Sequence, residues 1–287
     1  MRRAVIDIGT NTVKLLVADV QDGGVKPILS KDATTRLGEG VNETRSLSRI
    51  AIARTVRAID EFLTTAKTQG AVDVIALTTS AARDAMNRDE FLAGVRSKSG
   101  LEVQVITGEH EAALIFRGVC SDPSWADRPL LVLDVGGGSA ELIRGQSGKI
   151  EECLSLPLGA VRLTEQFAGK HFAAMAEHIR DAFHAAMTLY NTPGRRMIGT
   201  GGTITTLARM ECGKADHAVL TQDKLREWVT RLNAMSLEQR RKVPGLPPER
   251  ADIIVAGGLV FVLAMESLGA YELTVSTRNL RYGALLV

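Results

Sequence analysis

At 287 residues the chain is long enough for two domains, each burying a core of its own. Its 45% apolar and 24% charged residues are those of a soluble globular protein. A net charge of +2 gives no argument for bulk nucleic-acid binding, yet small phosphate-bearing ligands need only a local pocket. Cys120, Cys153 and Cys212 are odd in number, widely spaced and without a C-x-x-C pair, which argues against a disulfide framework or a zinc site. Each is expected to behave as a small buried hydrophobe. The first residues already read as a strand, leaving no room for a signal peptide. No apolar run reaches the ~18 residues of a membrane span. The expectation is a cytoplasmic protein with no membrane and no nucleic-acid partner.

In chain order, residues 1–20 predict a β-hairpin and 25–29 a third strand, followed by a glycine-punctuated loop, TTRLGEGV. Ile52, Val56, Ile59 and Leu63 recur at helical spacing within 48–68. A strand over 72–77 leads through Thr78, Thr79 and Ser80 into a short helix over 81–86, with Arg83 near its N-terminus. Then come a helix over 89–98, a strand over 101–106, and a helix over 109–119 capped by Thr107. The turn-rich segment 121–129 is the best domain boundary, giving domains 1–120 and 121–287. The second half repeats the pattern: a glycine hairpin, a strand over 150–156, a loop feeding a helix, and a helix over 174–190. A strand over 195–199 enters a third glycine turn, GTGGTITTLA. Helices over 222–233 and 248–268, a strand over 273–276 and a closing segment over 280–286 complete the chain. Residues 253–265 read as a buried helix despite Gly257 and Gly258. The run Arg240, Arg241, Lys242 reads as a solvated helix face, and the histidines show no metal-ligand pattern.

The chain is organised around LLVLDVGGGSAELIRG (130–145), in which an apolar strand ends in Asp134 and Gly136, Gly137 and Gly138 form a tight turn. A partial copy stands at the N-terminus, AVIDIGTNTVKLLVADV, with Asp7, Gly9 and Thr12 answering Asp134, Gly136 and Ser139. Glycine permits unusual backbone angles and close approach of a ligand, and successive N–H groups in such a turn suit an oxyanion. Ordinary hairpin chemistry also favours Gly and Asn, but the duplicated acid is not explained by it. Alternating strands and helices, each series opening on such a hairpin, predict two α/β domains with mixed sheets.

These segments, with TRLGEG, TTSAARDA, VITGEHEAALIFRGV, LPLGAVRLTE, IGTGGTITTLA, ERADIIVAGG and VSTRNLRYG, resemble the exopolyphosphatase/guanosine-pentaphosphate phosphatase (Ppx/GppA) family over the full chain and in the family's order. The resemblance implies an α/β fold of two ribonuclease-H-like domains, as in actin-like ATPases, facing across an interdomain cleft that holds phosphates. It implies release of the terminal phosphate of polyphosphate or guanosine pentaphosphate, and a homodimer. In the family's terms the expectation is a short two-domain form, without the C-terminal helical domains of the longest members.

The resemblance makes Glu111 of Gly108-Glu109-His110-Glu111-Ala112 the general base, with Glu109 as the alternative if the register slips. Without it, both would read as acids on an exposed helix face. A carboxylate in the first helical turns is kept ionised by the helix dipole. Arg83 is the expected grip on phosphate oxygens, its fork binding two at once. Gly9, Thr10, Asn11, Thr12, Gly136, Gly137, Gly138 and Ser139 are the expected phosphate-binding set, although Thr12 and Ser139 also suit plain turn chemistry. Lys14 either joins them or lies on the far side of its strand. Asp134 and Glu141 are the expected carboxylates for Mg2+ or another divalent cation, with Asp7 binding it through water or orienting water. Caps on the turns are the alternative for these acids. Gly199, Gly201 and Gly202 either touch a guanosine or simply let a strand meet a helix. A non-catalytic polyphosphate or guanosine-pentaphosphate sensor of the same fold is the alternative function. A sugar-kinase-type enzyme or a filament protein lacks supporting motifs.

Overall fold

The structure, a computed structural model, describes residues 1–190 and 195–287. Its first part runs β1 (Arg2–Ile8), β2 (Thr12–Gln21), β3 (Gly24–Thr34), α1 (Val41–Thr44), α2 (Arg49–Thr68) and β4 (Asp73–Thr78). It continues through α3 (Ser80–Asp84), α4 (Arg88–Ser99), β5 (Val103–Val105) and α5 (Gly108–Cys120). Then follow β6 (Pro129–Val135), β7 (Ala140–Gln146), β8 (Lys149–Leu156), α6 (Ala160–Gln166), α7 (Phe172–Tyr190), β9 (Arg196–Thr200) and α8 (Gly202–Cys212). The last elements are β10 (Val219–Thr221), α9 (Gln222–Asn233), α10 (Leu237–Arg240), α11 (Ile254–Leu268), β11 (Glu272–Val275) and α12 (Leu280–Leu285).

The chain divides into two compact units, Met1–Ser124 with Arg278–Val287, and Trp125–Thr277. The sequence reading had placed all of 121–287 in one domain. The closing segment instead returns to the first unit because α12 packs against α5 with backbone in contact: a Cβ on Gly283 would overlap the Leu114 carbonyl, and one on Gly118 the Asn279 carbonyl. Only glycine permits that approach.

The first unit is built on a five-stranded sheet ordered β3-β2-β1-β4-β5. The β1–β2 and β2–β3 pairs are antiparallel, whereas β4 and β5 run parallel to β1. Strand alternation turns Ala4, Ile6, Ile8, Val13, Leu15 and Val17 to one face. There they form a core with Ile52, Ile59, Phe62 and Leu63 of α2. The Ser48 hydroxyl starts that helix by accepting from Ala51 N at 3.1 Å.

The second unit repeats the arrangement in a six-stranded sheet, β10-β11-β9-β6-β7-β8. Strands β6, β7, β8, β9 and β11 occupy the places of β1 to β5, with β10 added antiparallel at one edge. The expected mixed sheets and α/β class are therefore present, and the duplication extends from the hairpin to the whole sheet order. Helix α11 is buried on every side from Ile254 to Met265, as its unbroken apolar run requires. It starts later than expected, since Pro248–Arg250 is a separate 3-10 turn.

Other readings need correction. Arg83 lies in the last turn of α3, not near its start, because the helix begins at Ser80 and ends at Asp84. Cys212 is exposed, and Cys120 and Cys153 are only half-buried. Arg240 is not solvated freely. It donates to the Met235 and Ala251 carbonyls, and burial lowers its pKa. The short elements α1, α10 and β10 were not foreseen, being too brief to show a period. Among the described residues no helix is long and apolar enough to cross a membrane.

Candidate active site

Each glycine hairpin closes on the same hydrogen bond. Gly9 N donates to Thr12 O at 3.1 Å, and Gly136 N donates to Ser139 O at 3.0 Å. The glycines ease this close approach, because a Cβ would stand 3.2 Å from Thr12 O in one turn and 3.3 Å from Ser139 O in the other, tighter than an ordinary contact. Left-handed backbone angles are not the reason: Gly9, Gly136, Gly137 and Gly138 are all absent from the positive-φ residues.

The carbonyls of both turns are occupied by the segment that follows the third strand of each unit. In the first, Gly38 N donates to Thr10 O, and Thr35 N and Arg36 N to Asn11 O. In the second, Ala160 N donates to Gly136 O, while Val161 N and Arg162 N both donate to Gly137 O. The Arg162 side chain adds a bond to Gly138 O at 2.7 Å. Among the described residues, the N–H groups of Thr10, Asn11, Gly137, Gly138 and Ser139 donate to no other backbone group. A turn with its acceptors occupied and its donors available matches an anion. Gly38 and Gly159, each preceded by a fully buried leucine, make these contacts possible. The sequence reading assigned them no role. The signal was present in the shared Leu-Gly of TRLGEG and LPLGAV.

In the first unit a chain of contacts runs from the hairpin to the proposed base. Thr10 Oγ1 and Ser80 Oγ are 2.9 Å apart, both buried. Ser80 opens α3, and Arg83 in its last turn donates through Nη1 to the Ile106 carbonyl at 3.1 Å and to Glu111 Oε2 at 3.4 Å. Thr107 caps α5 by accepting from His110 N at 3.2 Å, so Glu111 sits in the first turn. Glu111 is 9% exposed, whereas Glu109 points to solvent. Hydrogen bonds from its own N–H and from Thr107 hold the Glu109 carboxyl below its ordinary pKa, with Arg83 adding charge attraction. Of the two acids, Glu111 is the one that is buried and accepts from Arg83.

Asp7 and Lys14 are register partners across β1–β2, and Lys14 is flanked on β3 by Asp32. Desolvation raises the Asp7 pKa, opposed by the charges of Lys14 and of Arg281 on α12. Arg281 also donates to the Leu15 carbonyl and Ser30 hydroxyl. The charge of Lys14 thus acts on Asp7 within its own sheet.

In the second unit Asp134 and Glu141 are direct partners across β6–β7. Glu141 is 1% exposed and accepts from the Ser155 hydroxyl at 2.8 Å. Gly201, at φ 98°, lies so close to Asp134 that a Cβ would overlap Oδ1. Two carboxylates facing each other in a ladder favour a cation between them, and oxygen donors suit a hard one. Among the described residues no group of three or more His, Cys, Asp and Glu side chains is poised for a metal, so a cation here would complete its shell with water and ligand oxygens. In the third glycine turn, the missing Gly199 Cβ faces Leu273, Ile204 and Phe261 at 3.1–3.3 Å, so this residue is packed tightly into the apolar core. Gly202 lies against the Arg250 guanidinium.

Residues 16–287 match the Ppx/GppA phosphatase family. Exopolyphosphatase 1 of Mycobacterium tuberculosis is 34% identical over 301 residues, covering all of this chain and 88% of that protein. Among solved structures, an Aquifex aeolicus Ppx/GppA family member has a TM-score of 0.82 at 32% identity, covering 100% of this chain and 96% of the other. An exopolyphosphatase from Cytophaga hutchinsonii gives 0.91 at 27% identity, covering 99% and 96%. With a match across nearly the whole chain and relatives of the same fold, the protein belongs to the Ppx/GppA phosphatase family.

Proposed function

We propose that the protein is an exopolyphosphatase, a hydrolase that removes the terminal phosphate of inorganic polyphosphate by attack of water. The observation that carries this reading is the pair of contacts Thr10–Ser80 and Arg83–Glu111, joined through α3, which ties a buried carboxylate to a hairpin whose Thr10 and Asn11 N–H groups lack backbone acceptors. The relatives named exopolyphosphatase support the choice of substrate.

In this reading the N–H groups and hydroxyls of Thr10, Asn11 and Thr12 bind phosphate oxygens, and Gly137, Gly138 and Ser139 use the same chemistry. Arg83 neutralises oxygens of the terminal phosphoryl group. Glu111 orients the water and accepts its proton as oxygen bonds to phosphorus. The anhydride bond breaks, releasing phosphate and a chain shorter by one unit. Asp134 and Glu141, partners across one hairpin, would hold a magnesium ion. When bound, that ion would neutralise charge on the phosphate oxygens. The terminal group of guanosine pentaphosphate offers these residues the same oxygens and is carried as a second substrate, and a homodimer as the assembly.

Phosphate release from short polyphosphate, long polyphosphate and guanosine pentaphosphate, each with and without magnesium, tests this. Magnesium-dependent release from polyphosphate is expected. Saturable polyphosphate binding with no release over hours would replace the hydrolase with a sensor.

A further inference from the structure

The second unit carries a cavity of about 480 Å³ that the hydrolytic reading does not use, lined by Arg128, Arg195, Arg196, Tyr271, Glu272 and neighbouring residues of the same strands and turns. Arg196 opens β9, Pro129 opens β6 and Glu272 opens β11, and these strands are parallel. The cavity therefore lies at their N-terminal ends. The turn Gly136–Ser139 follows the opposite end of β6, one strand length or roughly 20 Å away.

Its size falls in the range of small-ligand sites. Three of its side chains are guanidinium groups, against the single carboxylate of Glu272. Arg195 is engaged with its own sheet, donating to Gly145 O at 3.1 Å and to both Glu151 oxygens at 3.1 and 2.8 Å. Arg196 is held differently. Its guanidinium lies 5.7 Å from the Trp125 ring centroid, and Trp125 is itself stacked on His217 at 5.5 Å. A cation–π contact uses the flat face of the group and leaves its N–H edges able to donate. Arg128 is exposed, and its backbone N–H is tied to Trp125 O at 3.1 Å, which closes the turn before β6. Tyr271 is 85% exposed at the rim, an aromatic face with no packing role.

We propose that this cavity is a second oxyanion site, in which Arg128 and Arg196 bind phosphoryl groups. The phosphoryl groups belong either to a polyphosphate segment or to a nucleotide whose base stacks on Tyr271. The site does not depend on the hydrolytic reading, and it is tested by binding alone.

Trp125 reports on it directly, since the chain has two tryptophans and Trp228→Phe leaves Trp125 alone. Its fluorescence is titrated with tripolyphosphate and, separately, with guanosine 5′-diphosphate, in a Glu111→Gln background that keeps the ligand intact. A saturable change is expected, with a midpoint at least about tenfold weaker in Arg128→Gln/Arg196→Gln and unmoved by Arg83→Gln. Tighter binding of the nucleotide, weakened by Tyr271→Ala, assigns the site to nucleotides. Equal or tighter binding of tripolyphosphate, indifferent to Tyr271→Ala, assigns it to polyphosphate. No saturable change with either ligand, or the same midpoints in the double variant as in its parent, overturns the proposal.

Discussion

Arg83 Nη1 stands 3.4 Å from Glu111 Oε2 while the same nitrogen is bound to the Ile106 carbonyl at 3.1 Å. One guanidinium thus fixes the end of α3 against the start of α5, with its Nε 4.0 Å from Asp84 Oδ1 and Nη2 able to donate to other oxygens. Lysine carries the charge but not the fork. Arg83→Lys is expected to lower kcat/KM for polyphosphate by about 10- to 100-fold, the worth of one charge-assisted bond, and Arg83→Gln by more. Steady-state phosphate release measures both.

The turn of the second hairpin is pressed against Gly159, where a Cβ would stand 2.3 Å from Gly137 O and from the Gly138 backbone. Gly159→Ala is expected to destabilise the protein by about 1–3 kcal/mol through overpacking. Gly94 offers the opposite sign. It lies inside α4, and its Cβ would make an ordinary 3.6 Å contact with Val56. Gly94→Ala should stabilise by about 0.5–1 kcal/mol. Urea midpoints of the two variants check the pair.

Much of this was legible in the sequence, because the informative features are local. The duplicated Asp-x-Gly turns, the helical stripe on α2 and the buried α11 all follow from short-range pattern. The Gly118–Gly283 crossing was not legible, since nothing near either glycine says that residues so distant in sequence meet backbone to backbone. Arg83 was placed on the right element but at the wrong end, because a five-residue helix is too short for periodicity to fix its start. Arg240 was misread for a related reason: a basic run suggests solvent, and only the fold supplies the Met235 and Ala251 carbonyls. The sequence around Lys14 suits either strand face, and its cross-strand partners Asp7 and Asp32 follow only from the register.

Glu109 has a folded-state pKa below its ordinary value, so its carboxylate contributes stability above the unfolded pKa. That contribution is lost as pH falls through the folded pKa. The difference in urea midpoint between the parent protein and Glu109→Gln should therefore be present at neutral pH and close in the acid range. Because Glu109 faces solvent and Glu111 is the acid that accepts from Arg83, the same variant should release phosphate at close to the parental rate.

Asp134 and Glu141 face each other across one hairpin, so a divalent cation should be needed to quiet their repulsion as well as to assist the substrate. Removal of magnesium by a chelator is expected to abolish phosphate release and to lower the thermal midpoint. Asp134→Asn, which halves the charge, should raise the magnesium concentration required for half-maximal release while losing the chelator's effect on the midpoint. Thermal melts and magnesium titrations together read both effects.

The most direct measurement is phosphate release by Glu111→Gln from short polyphosphate in the presence of magnesium, alongside binding of the same substrate. Loss of a general base predicts a fall in kcat of about 10²- to 10⁴-fold with substrate affinity retained. Release at the parental rate would contradict the account.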